Sequence, residues 1–294
     1  MAFQSLRLKF MIIFFTFFLI PFGLLTFFSI SISKQMMKKG TIDHLQNLVE
    51  VKETAIEQWL KERVRDGKTI AESREIKSLD PKRIEPFLSL IKHFERAYLD
   101  IWVVNLKGQI ISGSENPVKT SFAKEEWFQR AIKEGDFISV PTSALEAQSS
   151  QPTITIAVSI KNSEGHIIGV LRELVVLTYI YELISESKLG ETGKFFIVHP
   201  QGQFVLHSRS IELLREGAAK VSYFEKIPPE EAYTGVYKDY NGNEVLGSWK
   251  WIPGLRCYLI AEQETQEAFL DINVLIKNAT IIFIISSFFI LRIS

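Results

Sequence analysis

The side chains that could act as ligands, bases or nucleophiles in this sequence are few and scattered. Five histidines, His44, His93, His166, His199 and His207, show no metal-ligating spacing, and none neighbours the single cysteine, Cys257. Metal donors are expected in sequence pairs about two to five residues apart, so no metal site is expected. His199 and His207 flank a hairpin and could meet across it, but two surface histidines on a hairpin are the preferred reading. Glu125/Glu126 and Glu230/Glu231 are adjacent pairs whose members point in different directions, which suits solvated surface better than acid–base catalysis. The sequence contains no Gly-rich phosphate loop, no serine nucleophile elbow, no phosphoacceptor-histidine helix and no cyclase signature. One cysteine excludes an intramolecular disulfide, and 34 Lys and Arg against 34 Asp and Glu leave no excess of positive charge for nucleic acid. The chemistry points to a binding protein, with no enzymatic activity, cofactor or nucleic-acid partner expected.

The elements that would position a binding site lie between two apolar segments. Residues 10–33 carry no charge between Lys9 and Lys34, and as a helix they would reach about 36 Å, beyond the roughly 30 Å of a hydrocarbon core. The alternative is a cleaved signal peptide, with Arg7 and Lys9 at its start and Ser31-Ile32-Ser33 as its cleavage site. The apolar part of such a peptide is, however, only about 7–15 residues long. A second span is expected over 272–292, with Lys277 near one end, where its charge can reach the interface. Two spans would leave residues 1–9 in the cytoplasm and hold 34–271 outside it, in a bacterial inner membrane.

Between the spans the periodicity changes twice. Ile42, Leu45, Val49, Ile56, Leu60, Val64 and Ala71 recur at helical spacing, predicting one amphipathic stalk helix over 34–73. Its apolar face either covers sheets of its own chain or also packs on a second copy, as in a homodimer. From Ala97 the pattern becomes that of strands, with VVNLKGQIIS at 103–112 reading as a hairpin. IVHPQGQFVL at 197–206 repeats it 94 positions later, setting Gly108 on Gly202 and Ser114 on Ser208. Hairpin, irregular middle, hairpin and helix recur in the same order, which predicts a duplicated antiparallel-sheet module.

The stretches EEWFQRAIKEGDFIS, QPTITIAVSIKNSEGHIIGVL, GETGKFFIVHPQGQFVLHS and WKWIPGLRCYLIAEQETQEAF, in that order, resemble the double Cache (dCache) sensor domain of bacterial chemoreceptors, sensor histidine kinases and diguanylate cyclases. The expected class is therefore α+β: a long N-terminal helix with two tandem PAS-like modules, 74–187 membrane-distal and 188–271 membrane-proximal, flanked by two transmembrane helices. The resemblance implies a small-molecule ligand in the distal module and a conformational signal relayed across the membrane. Because the chain stops at Ser294, the expected output is either the missing part of a split or truncated receptor or a separate cytoplasmic partner protein. A degenerate member that serves as a scaffold without ligand is the alternative.

Matched residue by residue, the resemblance places Trp127, Phe128, Thr142 and Leu174 around the ligand, and strand alternation adds Thr153, Thr155 and Arg172 to the expected site. Amino-acid-sensing members carry an Arg where this chain has Glu125, a Tyr at Phe128, a Tyr-x-Asp at 142–144 and an Asp at Leu174. The loss of both Asp residues argues against an α-amino-acid ligand. Strand alternation puts Arg172 on the face of Leu174, where its planar fork would suit a small carboxylate. The competing expectation pairs Arg172 with Glu173 or Glu126, or turns it to solvent.

Overall fold

A computed structural model describes residues 20–114, 121–142, 152–187, 189–210 and 232–293, with the isolated positions 13 and 17. One helix, α1 (Ile20–Ala71), runs unbroken for 52 residues, roughly 78 Å at 1.5 Å per residue. The expected boundary between span and stalk at 33/34 is thus a change of polarity and not of backbone. Buried Leu45, Val49, Ile56, Leu60 and Ala71 lie on one stripe of the helix, at the spacing that turns apolar side chains to a common face.

Two helices follow that the hydrophobic pattern alone does not announce. Ser73 caps α2 (Arg74–Lys77) by accepting from Ile76 N at 3.4 Å, and Asp80 caps α3 (Pro81–Phe94) by accepting from Lys82 N at 3.1 Å. Pro81 in the first turn of α3 gives up no intrahelical bond, since that N–H has no helical partner.

The rest of the first module comprises β1 (Tyr98–Asn105), β2 (Ile110–Gly113), α4 (Glu126–Glu134), β3 (Asp136–Ile138), β4 (Thr153–Lys161), β5 (Ile167–Val176) and α5 (Thr178–Ser185). The second comprises β6 (Lys194–Val198), β7 (Phe204–His207), β8 (Tyr233–Lys238), β9 (Glu244–Ile252) and β10 (Cys257–Glu264), followed by α6 (Thr265–Ala268) and α7 (Leu270–Ile293). Each sheet has five antiparallel strands in equivalent order, β2-β1-β5-β4-β3 and β7-β6-β10-β9-β8.

The likeness of the two sheets extends to single hydrogen bonds. Gly108 and Gly202 turn their hairpins at φ +78° and +82°, where a side chain would be strained, and donate to Asn105 O and His199 O. The ladders slip between Val103 and Val104 and again between Ile197 and Val198. Ser114 Oγ accepts from Ile101 N at 3.1 Å and Ser208 Oγ from Phe195 N at 2.9 Å. All four features recur at the 94-residue offset.

One face of each sheet packs on α1 in a shared core that joins Leu45, Ile56 and Leu60 to Ile101, Ile154, Phe195 and Leu259. Polar clips hold the second sheet on α1: Gly254 N donates to Glu57 at 2.7 Å and Lys250 pairs with Glu53 at 2.9 Å. Between the modules, Arg256 Nη2 donates to Ile138 O at 3.0 Å.

Phe22, Gly23, Thr26 and Ile30 of α1 face Ala279, Thr280 and Ile282 of α7, so these stretches of the two helices lie side by side. Among the described residues no helix is long and apolar enough to cross a membrane. The first expected span, 10–33, lies partly outside those residues, as do Ser143 and Ala144 and the Pro-rich stretch at 227–229.

Candidate functional site

The second face of the first sheet, the one turned away from α1, carries the candidate site. Pleating sends alternate residues of β5 to opposite faces: Leu171 and Val175 join the core on α1, whereas Val170 packs with Trp127 on the other side. Arg172 belongs to that second side. Two rows run across the strands there, Trp102–Arg172–Ala157–Phe137 and Asp100–Leu174–Thr155. Helix α4 covers part of this face through buried Trp127, Phe128 and Ala131.

Arg172 sits among aromatic rings. Its guanidinium carbon is 4.8 Å from the Trp102 ring centre, 5.5 Å from Trp127 and 5.7 Å from Phe122, within the reach of cation–π attraction. Nη2 donates to Thr155 Oγ1 at 3.3 Å, while Nε is buried with no hydrogen-bond partner among the described residues. Burial pushes its pKa down to about 10, against the opposing pull of Asp100 and Glu125, so it is charged at neutral pH. Neither expected competitor pairs with it. Glu173 faces α1, and Glu126 contacts Arg130 at 3.5 Å.

The other expected residues divide. Trp127 and Thr155 meet Arg172 directly, and Leu174 lies beside Thr155 in the next row. Phe128 sets its ring edge against Trp127 at 5.9 Å and belongs to the apolar cluster beneath. Thr142 and Thr153 are tied to each other through their backbones, at 2.8 and 3.1 Å. No side-chain contact joins them to Arg172 among the described residues.

Three residues of this face did not emerge from the sequence. Trp102 and Phe122 stack at 5.4 Å and form two walls around Arg172, and Trp102 Nε1 is a second buried donor with no hydrogen-bond partner among the described residues. Asp100 stands on β1 opposite Leu174 and accepts from Ser114 Oγ at 2.8 Å and Ile101 N at 3.0 Å. A carboxylate is therefore present on this face, although position 174 holds none. Cross-strand register brought it there, and the only signal in the sequence was the odd charge inside an apolar strand.

The matching face of the second sheet is filled by its own charges. Lys194 pairs with Asp239 at 2.6 Å and Glu262 at 3.4 Å, and its ammonium lies 4.3 Å from the Tyr240 ring centre. Tyr237 OH donates to Glu262 at 2.7 Å, and His207 Nε2 meets Tyr240 OH at 2.9 Å. Burial, with Lys194 and Arg209 nearby, pushes the His207 pKa down to about 4, so its ring is neutral.

A family model described as Cache domain (dCache) matches residues 33–272. No curated protein matches the chain by sequence. Among solved structures, the ligand-binding domain of Campylobacter jejuni chemoreceptor Tlp3, in complex with 4-methylisoleucine, superposes with a TM-score of 0.60 at 17% identity, covering 79% of this chain and 94% of that one. That of Pseudomonas fluorescens chemoreceptor CtaA, in complex with L-isoleucine, gives 0.60 at 17%, covering 81% and 98%. That of Pseudomonas aeruginosa amino-acid chemoreceptor PctB, in complex with L-Arg, gives 0.56 at 17%, covering 77% and 96%.

Proposed function

The chain belongs to the double Cache family of sensor domains, and from that premise we propose that it is the input part of a membrane-anchored receptor whose first module binds a small carboxylate through Arg172. The observation that carries this reading is the buried Arg172 Nε, an unused cationic donor within three aromatic walls. A buried charged donor without an acceptor is costly, and a ligand carboxylate would supply that acceptor. The unused Trp102 Nε1 favours the same kind of ligand. The second module, with its corresponding face occupied by Lys194 and two carboxylates, serves as the relay.

Membrane anchoring by 10–33 and 272–292 is part of the proposal. It is supported by the exposure of Phe22, Leu25, Phe27 and Phe28 beside Leu275, Ile282 and Ile284, a concentration of apolar surface that water does not favour. On this arrangement 74–187 is the membrane-distal module, 188–271 the proximal one, and α1 and α7 carry the signal toward the output partner. Asp100 supports a second reading, in which the ligand bears a cationic group as well as a carboxylate. The amino-acid complexes of Tlp3, CtaA and PctB are consistent with such a ligand.

Isothermal titration of the purified chain with acetate, pyruvate and alanine, wild type against Arg172→Met, tests both readings. Loss of a charge-assisted contact worth about 1.5–3 kcal/mol predicts weakening by roughly 10- to 150-fold. Equal binding by both proteins would dismiss Arg172 as the anchor. Alanine binding that Asp100→Asn weakens selectively would favour the zwitterionic ligand. A metabolite-wide thermal-shift screen with no stabilising hit would favour a scaffold.

A further inference from the structure

Glu173 follows Arg172 on β5 and therefore points the opposite way, into the seam between the first sheet and α1. It is fully buried, and neither carboxylate oxygen has a hydrogen-bond partner among the described residues. Its carboxyl lies against Gly67 of α1, where a Cβ would stand 2.8 Å from Oε2. The helix thus carries a glycine at the place the carboxyl occupies.

One turn before Gly67, and so on the same helical face, stands Arg63. Its Nη2 pairs with Asp66 at 2.9 Å and its Nη1 with Glu95 at 3.5 Å, while Nε is buried with no partner among the described residues. One seam therefore holds two unused acceptors and one unused donor. The charged and titratable groups around Glu173 are Arg63 and Asp66 from α1, Glu95 from the turn after α3 and Tyr98 from β1. Its cross-strand neighbours, Ile101 and Ile156, are apolar.

We propose that Glu173 is a proton-binding site that couples the first sheet to α1. Protonated, it packs as a neutral carboxyl against Gly67. Ionised, it draws the Arg63 guanidinium toward itself, loosens Arg63 from Asp66 and Glu95, and shifts the helix on the sheet. The site uses none of the pocket residues, so it gives the receptor an input independent of the ligand reading.

The direction of the pH effect follows from the surroundings. Burial, reinforced by Asp66 and opposed by Arg63, pushes the Glu173 pKa up to about 8 from 4.5. Between those values the folded chain holds a proton that the unfolded chain has released. This stabilisation is complete below about pH 4.5 and is lost as pH rises through about 8.

The test uses the full chain in detergent micelles. Infrared difference spectra are expected to show a protonated carboxyl that titrates with a midpoint near 8 and is missing in Glu173→Gln. Hydrogen exchange of the α1 amides around Gly67, corrected for its intrinsic pH dependence, is expected to accelerate across the same range in wild type and to stay constant in Glu173→Gln. Arg63→Gln is expected to move the midpoint upward. A wild-type carboxyl that titrates in the ordinary range near 4.5, or α1 protection with the same pH response in wild type and Glu173→Gln, overturns the proposal. Should Glu173→Gln fail to fold, the Arg63→Gln midpoint decides: an upward shift supports the coupling, and an unchanged midpoint overturns it.

Discussion

Replacing Lys194 with methionine should destabilise the chain by about 4 kcal/mol. The ammonium lies 2.6 Å from Asp239 and 3.4 Å from Glu262, with side-chain exposures of 10% for the lysine and 0% for both acids. At an effective dielectric of about 20 these separations correspond to attractions of roughly 6 and 5 kcal/mol. Desolvation of three charged groups offsets most of that, so the intact network adds little net stability. Methionine fills the space of the lysine stem but leaves two buried carboxylates without their cation. Asp239 is also fixed in place, because its Oδ1 accepts from the backbone N–H of Asn241 and Asn243 at 2.9 Å each. The penalty therefore falls in the range of about 3–5 kcal/mol typical of a broken buried pair. Denaturant unfolding at neutral pH would measure it, alongside Lys194→Met/Asp239→Asn/Glu262→Gln, which removes every charge and should return to within about 1 kcal/mol of wild type. A single variant that loses less than about 1 kcal/mol would mean that water screens the network as it does a surface pair, and the buried-charge reasoning would fail. A triple variant no better than the single would refute it equally.

Two further outcomes follow from the contacts. Trp127 is buried against Phe122, Phe128 and Arg172, so Trp127→Ala should cost about 3–5 kcal/mol in thermal or chemical unfolding, and a much smaller loss would mean that the aromatic wall collapses into the space. Glu267 accepts from Glu191 N at 2.7 Å, from Thr192 N at 2.8 Å and from Thr192 Oγ1; burial alone would raise its pKa, but these bonds bring it below 4.5. Its contribution is present above about pH 4.5 and lost as pH falls through the lower folded value, so Glu267→Gln should lower Tm at neutral pH by an amount equivalent to about 1–2 kcal/mol and flatten the acid limb of Tm against pH.

Much of the fold was legible in the sequence because it is repetitive. The stripe along α1 and the paired hairpins at Gly108 and Gly202 carry a period that apolar burial imposes and that any reader of the chain can count. Helix α3 was harder to see, since its evidence is local: Asp80 as cap and Pro81 in the first turn, ahead of only two fully buried side chains, Ile84 and Leu88. The short strand β3 has three residues, too few to show an alternation. The expected boundary between span and stalk at 33/34 falls inside α1, which is continuous from Ile20 to Ala71, so backbone geometry does not mark it.

The candidate site was legible only in part, for a reason that lies in the sheet itself. Alternation along β5 is visible in a sequence and put Arg172 on the face of Leu174. Register between strands is not visible, and it is register that sets Trp102 beside Arg172 and Asp100 opposite Leu174. The same register decides the fate of Glu173. Sliding β5 by one residue against its neighbours would turn Arg172 into the apolar core on α1 and Glu173 toward the rings of Trp102, Phe122 and Trp127, exchanging a donor for an acceptor. What fixes β1 against β2 within the hairpin is the shift between Val103 and Val104, the Gly108 turn and the Ser114–Ile101 bond. All three recur in the second module, whose matching face is filled by Lys194, Asp239 and Glu262. The duplicated hairpin thus carries no chemistry of its own, yet it sets the register of β1, the strand that places Trp102 beside Arg172 and Asp100 opposite Leu174.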